Sequence, residues 1–200
     1  MADDIRPVHL DGPRWPTDQR RFAVPLTIGV ISDTHVYAHG SRHVPAEVLG
    51  LFRRFACGLI VHCGDVNTGE VLDDLAELAP LIAVVGNNDE ADVATLLPRE
   101  ALFDVGPHRF VAIHGHGRKG MSARAVARTY ADRAACVIYG HSHEPVIEQH
   151  DGAILFNPGS ATDRRWHPHF GVGLIHVTQE KIDPELVLYL NPAHLANITP

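Results

Sequence analysis

Short apolar runs bounded by glycine and polar residues recur along the chain. Five of them, LTIGVIS (26–32), GLIVHC (58–63), LIAVVG (81–86), RFVAIH (109–114) and CVIYG (136–140), read as buried strands. Between the first three the apolar period changes from that of a strand to that of a helix. VPAEVLGLFRRFA places Val48, Leu51, Phe52 and Phe55 on one face, and GEVLDDLAELA does the same with Val71, Leu72, Leu75 and Leu78. SARAVARTYADRA predicts a third helix before the fifth strand. Strand, helix, strand repeated in this way implies right-handed crossovers and a largely parallel sheet with helices on a face. The later runs PVIEQH, GAILF, GVGLIHV and ELVLYL follow one another with only turns between them. They predict antiparallel strands and a second sheet packed on the first.

The 200 residues are enough for one domain with a full core. Residues 1–25 hold four prolines and neither period, and predict an irregular extension outside the core. The domain is expected over 26–192, with 193–200 as a C-terminal tail. The extension is acidic at Asp3 and Asp4 and lacks an apolar stretch of signal-peptide length, and no run approaches a membrane span. Seventeen Lys and Arg against 24 Asp and Glu leave a formal charge of −7, which opposes an extended nucleic-acid surface but not a small anionic substrate. Cys57, Cys63 and Cys136 are an odd set at unrelated spacings, each beside or within an apolar run. Free buried thiols in a reducing compartment, the cytoplasm, fit them better than a disulfide framework.

Fifteen histidines stand outside that charge count, and the positions of some carry chemistry. The five runs end at Asp33-Thr34-His35, at Gly64-Asp65, at Asn87-Asn88-Asp89, at His114 with Gly115-His116 behind it, and at His141-Ser142-His143. Singly, each has an ordinary reading: a surface pair, a turn, a helix cap, a core histidine. All five at successive strand ends point to one shared metal site, because the carboxyl ends of parallel strands share an edge where ligands bind. Extended residues two apart project to one side, so His141 and His143, and likewise Asp33 and His35, can each aim at one locus. Gly64, Gly86, Gly115 and Gly140 fit sharp bends or close backbone approach. Mixed imidazole and oxygen ligands without thiolate suit Mn, Fe or Zn better than Mg or Ca.

The other histidines (9, 39, 43, 108, 150, 167, 169, 176 and 194) read as surface or satisfied groups, and His62 as a buried hydrogen-bonded one. Arg118-Lys119 reads equally as a phosphate contact or a solvated loop. Cys63 lacks a base to make it a nucleophile.

The ordered set Asp-x-His, Gly-Asp, Gly-Asn-x-Asp, His, Gly-His-x-His resembles the calcineurin-like metallophosphoesterases over about residues 26 to 163. The compact size and Asn157-Pro158-Gly159-Ser160 look most like the small prokaryotic phosphodiesterase branch. The resemblance implies an α/β fold, a four-layer α-β-β-α sandwich of two mixed sheets flanked by helices. It also implies two divalent ions, Mn²⁺ foremost with Fe, Zn or Ni as alternatives. One would be held by Asp33, His35, Asp65 and His143, the other by Asp65, Asn87, His114 and His141, with Asp65 bridging. A water between the ions would attack the phosphorus of a small phosphate ester. His116 would orient phosphate or support a ligand, and Asn157, Ser160 and Arg164 are weaker candidates near the site.

Two departures matter. Thr68 stands where a longer form of the motif has Asp, and Asn88 stands where larger relatives carry the histidine that protonates the leaving group. A neutral amide is no ordinary general acid, so diesters and esters with good leaving groups are favoured over alkyl monoesters. The rival readings are a metal-poor scaffold of the same fold, known among its relatives, and a histidine-rich storage or structural metal site. The sequence is compatible with a homo-oligomer.

Overall fold

The computed structural model describes residues 15, 19–117 and 120–200. Its core is a pair of facing sheets. One has five strands in the order β11 (Ile182–Tyr189), β10 (Phe170–Val177), β2 (Leu26–Ile31), β3 (Leu59–His62) and β4 (Leu81–Ala83). The other has six, in the order β1 (Arg21–Phe22), β5 (Glu100–Val105), β6 (His108–Ile113), β7 (Cys136–Ile138), β9 (Ala153–Asn157) and β8 (Val146–His150). Both are mixed. β2, β3 and β4 run parallel while β10 runs antiparallel to β2, and β6, β7 and β9 run parallel while β5 and β8 are antiparallel edges of that group.

Side-chain alternation along each strand builds the layers. Ile28, Val30, Leu59, Val61 and Ile82 face inward to meet Phe110, Ala112, Cys136, Ile138 and Phe156 of the opposite sheet. The alternate residues Ile31, Ile60, Leu81, Val172 and Leu174 face outward, under α1 (Ala46–Arg54) and α2 (Gly69–Ala76). Those helices bury Val48, Leu51 and Phe52, and Val71, Leu72 and Leu75, as their period requires. On the far side Val111, Ile113, Val137, Tyr139 and Leu155 pack under α4 (Ala123–Tyr130), which Ser122 caps by accepting from the Ala125 N–H. The result is the four-layer α-β-β-α sandwich.

Several expectations change. The five apolar runs divide between two sheets, three in one and two in the other, and the late strands divide as well. Among the elements that escaped the periodicity, α3 (Ala91–Leu96) is six residues long, and β5 carries Leu102 on its exposed face, so EALFDV does not alternate cleanly between apolar and polar residues. Residues 193–200 are more than a tail, because a 3-10 helix over Pro192–Asn197 buries Leu195, and Arg54 of α1 donates to the Leu195 and Ile198 carbonyls.

The N-terminal 25 residues are likewise not wholly outside the core. Their first 14, and residues 16–18, lie outside the described residues. Phe22 of β1 is buried between the sheets as β1 adds in parallel to β5. Trp15 is buried with α2, its indole N–H donating to Asp73 Oδ1 at 2.8 Å. Gly69 packs closely under its ring, where a Cβ would sit 3.2 Å from it, a tight contact. Trp15→Ala and Phe22→Ala should each lower stability by about 3 kcal/mol, the usual loss on emptying an aromatic core site. Urea denaturation checks this, and losses under ~0.5 kcal/mol would return the segment to the surface.

Candidate metal centre

The strand ends from both sheets meet along one edge. Main-chain bonds join them: Asp33 N–H donates to the Gly64 carbonyl, His35 N–H to the Asp65 carbonyl, and Gly140 N–H to the His114 carbonyl. The sheets are stitched by a side chain, since the Asp33 carboxylate after β2 accepts at Oδ2 from the His141 N–H after β7 (2.9 Å) and from Ser32 Oγ (2.6 Å).

Six side chains gather there in two groups, Asp33, His35 and His143, and beside them Asp65, His114 and His141. In the first, His35 Nε2 and His143 Nε2 are 3.3 Å apart in nearly stacked rings, and His143 Nε2 is 3.3 Å from Asp33 Oδ1. In the second, His114 Nε2 lies 3.3 Å from Asp65 Oδ1 and 3.2 Å from Asn87 Oδ1. Asp65 stands between the groups, with Oδ2 3.7 Å from His35 Nε2. Asn87, exposed on the loop after β4, joins through its amide oxygen.

The histidine at 141 and that at 143 do not share a locus by strand alternation. β7 has ended at Ile138, and both residues are left-handed, at φ 69° and 58°, so the turn sends one ring to each group. Asp33 (φ 52°) and His35 (φ 46°) reach one group, also from left-handed backbone rather than as an extended pair, and Asp65 has φ 55°. Non-glycine residues rarely adopt this conformation, at a cost on the order of 1–3 kcal/mol each, and they concentrate at functional sites. Five of the seven expected ligands lie in it.

Burial and hydrogen bonding set the charge states. Burial pushes the Asp33 carboxyl up to about 6, against the opposing charge of His114 and the hydrogen bond from Ser32. Burial also lowers His143, to about 4, and lowers His35 and His141, with the Arg165 charge adding to the effect on all three. Asp65 is held below the usual carboxylate range: burial opposes this, but the bond and charge of His114 and two donors from Asn88 outweigh it. His114 is raised in turn, its burial outweighed by Asp65 and by the Asp33 charge. His114 Nδ1 faces the Cys63 carbonyl at 2.6 Å and His143 Nδ1 the Asp163 carbonyl. A carbonyl only accepts, so both Nδ1 atoms carry hydrogen and, when the rings are neutral, both Nε2 lone pairs point into the centre.

These residues fit divalent metal ions. Asp33 Oδ1 is buried with no hydrogen-bond partner, and two buried imidazole nitrogens face each other at 3.3 Å. A cation between them satisfies all three atoms. Tight glycines keep the carboxylates there: a Cβ at Gly86 would fall 2.1 Å from Asp65 Oδ1, and one at Gly140 would fall 2.0 Å from Ser32 Oγ and 2.6 Å from Asp33 Oδ2.

The remaining candidates take other places. His116 lies beside the centre, 5.4 Å from the His114 ring between centroids, with Nδ1 buried and unpartnered. Asn88 donates to both Asp65 oxygens, from N–H (2.8 Å) and from Nδ2 (2.6 Å). Asn157 Nδ2 donates to the Gly140 carbonyl and to Ser142 Oγ, both at 3.1 Å, and Ser160 Oγ donates to the Asp33 carbonyl at 2.7 Å. Both brace ligand-bearing turns. Arg164 Nη1 donates to the His167 and Pro168 carbonyls. Thr68 Oγ1 is buried without a partner. His62 is the buried, bonded histidine expected, between Thr34 Oγ1 and Gly64 N–H. Burial raises the Cys63 thiol well above its ordinary value, consistent with an inert side chain. Arg118 and Lys119 lie outside the described residues.

Sequence reasoning missed Ser32 and Asp163 as supports and gave Asp89, a motif residue, no role of its own. Asp89 ties two loops by accepting from Asn67 N–H (2.8 Å) and Gly86 N–H (2.7 Å), and Asp163 supplies the carbonyl on His143. Only proximity to motif residues could have flagged Ser32 and Asp163.

A family model for the calcineurin-like phosphoesterase superfamily domain matches residues 26–180. A probable metallophosphoesterase of Methanothermobacter thermautotrophicus is 34% identical over 163 residues, which span 81% of this chain and 92% of that protein. Among solved structures, Vps29 of Entamoeba histolytica complexed with Zn²⁺ superposes with a TM-score of 0.68 at 22% identity, covering 82% of this chain and 99% of its own. An archaeal phosphodiesterase superposes at 0.66 and 24% identity, covering 82% and 100%. With two thirds and more of both sequences aligned and these residues at the strand ends, the chain belongs to the calcineurin-like phosphoesterase superfamily.

Gly140→Ala should push Asp33 off its position, because the added Cβ would meet Ser32 Oγ and Asp33 Oδ2. Elemental analysis after graded chelation is expected to find bound metal lost at least tenfold more readily than in the wild type. Metal retention equal to the wild type would show that the seam at Gly140 does not support the centre.

Proposed function

We propose that this protein hydrolyses phosphodiesters, or phosphomonoesters with acidic leaving groups, at a dinuclear metal centre in which Asp65 bridges the ions. The observation that carries the reading is the position of Asp65 between two histidine groups, 3.7 Å from His35 and 3.3 Å from His114. Asp33, His35, Asp65 and His143 would hold one ion and Asp65, Asn87, His114 and His141 the other. The nitrogen and oxygen donors favour Mn²⁺, with Fe, Zn or Ni as alternatives. Such ions, when bound, supply Lewis acidity and a water acidic enough to act as nucleophile near neutral pH.

The chain's own residues do the rest. Buried Asp33 and the backbone-fixed histidines preset the donor geometry, so little reorganisation is needed on binding. His116, beside the His114 group, would hydrogen-bond a phosphoryl oxygen, a role supported by its ring lying 5.4 Å from that of His114. Asn88 holds both Asp65 oxygens and can donate a hydrogen bond to a leaving oxygen, but it carries no dissociable proton for it. That limits good rates to esters whose leaving group departs as an anion. Three free buried cysteines support a reducing compartment, the cytoplasm, and no helix among the described residues is long and apolar enough to cross a membrane.

The rival reading is a scaffold of the same fold with little activity. Likeness to Vps29 motivates it, and the full complement of donors weighs against it. Turnover of bis(p-nitrophenyl) phosphate by Mn²⁺-loaded protein, abolished by chelation and restored by metal, separates the two. Metal retained without turnover would favour the scaffold or a storage site.

Asp65→Asn should release both ions under dialysis that leaves the wild type with two, whereas His143→Ala should weaken mainly one. Two ions retained by Asp65→Asn would remove bridging as a requirement.

Across a series of aryl and alkyl phosphates, log kcat/KM for the wild type should fall steeply with rising leaving-group pKa. Asn88→His should flatten that slope, because an imidazolium that protonates the leaving oxygen contributes about 10² to 10⁴ in rate when the leaving group is poor. Coincident slopes at equal metal content would refute the role of position 88 in substrate class.

A further inference from the structure

The loop between β9 and β10 carries two side chains that the metal centre does not use. Trp166 is 89% exposed, and Arg165 beside it is exposed and left-handed at φ 48°. A tryptophan is rarely left in water to that extent. The loop is nonetheless tied to the site through Asp163 and through Ser160, whose hydroxyl donates to the Asp33 carbonyl. His143 donates to the Asp163 carbonyl, Arg42 pairs with the Asp163 carboxylate at 3.2 Å, and Ser160 Oγ accepts from the Asp163 N–H at 2.8 Å.

Its neighbours leave Arg165 available. The guanidinium of Arg164 is taken by main-chain carbonyls and that of Arg42 by Asp163, whereas no carboxylate pairs with Arg165 among the described residues. Its charge is close enough to be felt by His35, His141 and His143. The exposed aromatic residues are confined to this region too. Among the described residues only Tyr37 and Trp166 qualify, and Tyr37 follows His35 by two positions on the loop that Arg42 joins to Asp163.

We propose that Arg165 and Trp166 form the substrate-recognition element of the site and that the substrate is a nucleobase-bearing phosphodiester. The guanidinium pairs with a non-bridging phosphate oxygen, which a planar fork of N–H donors suits. The indole gives the base a face to stack on, and Tyr37 is the other exposed ring among the described residues. This inference rests on the phosphoesterase reading above. It moves the arginine contact from Arg164 to the next residue.

Two diesters with the same leaving group isolate the effect: thymidine 5′-(p-nitrophenyl) phosphate and methyl p-nitrophenyl phosphate, each with Mn²⁺-loaded protein. Trp166→Ala should lower kcat/KM for the thymidine ester about 10-fold, chiefly through KM, the range a base–aromatic stack supplies. It should leave the methyl ester within about twofold. Trp166→Phe should restore most of the loss, and Arg165→Ala should lower both esters. Independently of turnover, thymidine 5′-phosphate should quench the tryptophan emission of the wild type but not that of Trp166→Phe, which keeps only buried Trp15, while glycerol 3-phosphate should quench neither. Unchanged discrimination between the esters in Trp166→Ala, or equal quenching by both ligands, would overturn the assignment. If neither ester is hydrolysed by metal-loaded wild type, the phosphoesterase reading itself falls, an outcome distinct from hydrolysis of both without discrimination.

Discussion

A fully buried carboxylate at the seam of two sheets governs this site. Asp33 accepts from Ser32 on its own strand end and from the His141 N–H of the other sheet, and turns its second oxygen toward His143. A charge in that position is costly unless it is paired and bonded. Two hydrogen bonds serve one oxygen, and the other oxygen has none. The sandwich is therefore locked at a point where its polar chemistry is incomplete, and a cation would complete it.

The same economy runs through the neighbouring turns. Left-handed residues at five ligand positions keep the side chains converging where a regular strand end would splay them. Gly86 and Gly140 remove the atoms that would collide with the carboxylates. Asn88, Asp89, Asn157 and Ser160 use their hydrogen bonds to hold backbone and carboxylates rather than to reach solvent. The cost of strained backbone is offset by these bonds and by the packed layers beneath.

Much of this was legible because chemistry and periodicity coincide in the sequence. Val48, Leu51 and Phe52, and Val71, Leu72 and Leu75, revealed two helices by their spacing, and each of five apolar runs ended at a metal-binding residue type. Which sheet a run joins was not legible, because β6 and β7 look like β2 and β3 locally and differ only in long-range pairing. The inference that Asp33 and His35 share a locus reached the right group for the wrong reason, since their backbone is left-handed rather than extended. Trp15 gave no sign of burial in a proline-rich stretch without a period, because its site is built by Gly69 and Asp73 more than 50 residues away. Asp163 was invisible for a different reason: its contribution to His143 is a main-chain carbonyl.

That last feature bears on how such a centre changes over evolutionary time. His114 and His143 are both held in their metal-facing tautomer by backbone oxygens, those of Cys63 and Asp163. Every amino acid has that oxygen, so substitutions at either position leave the orientation of the rings intact as long as the turn keeps its path. The residues that aim the ligands can drift without a trace in side-chain chemistry, while the glycines that shape the path cannot. Divergent relatives can thus lose recognisable support residues and still present the same nitrogens to a metal.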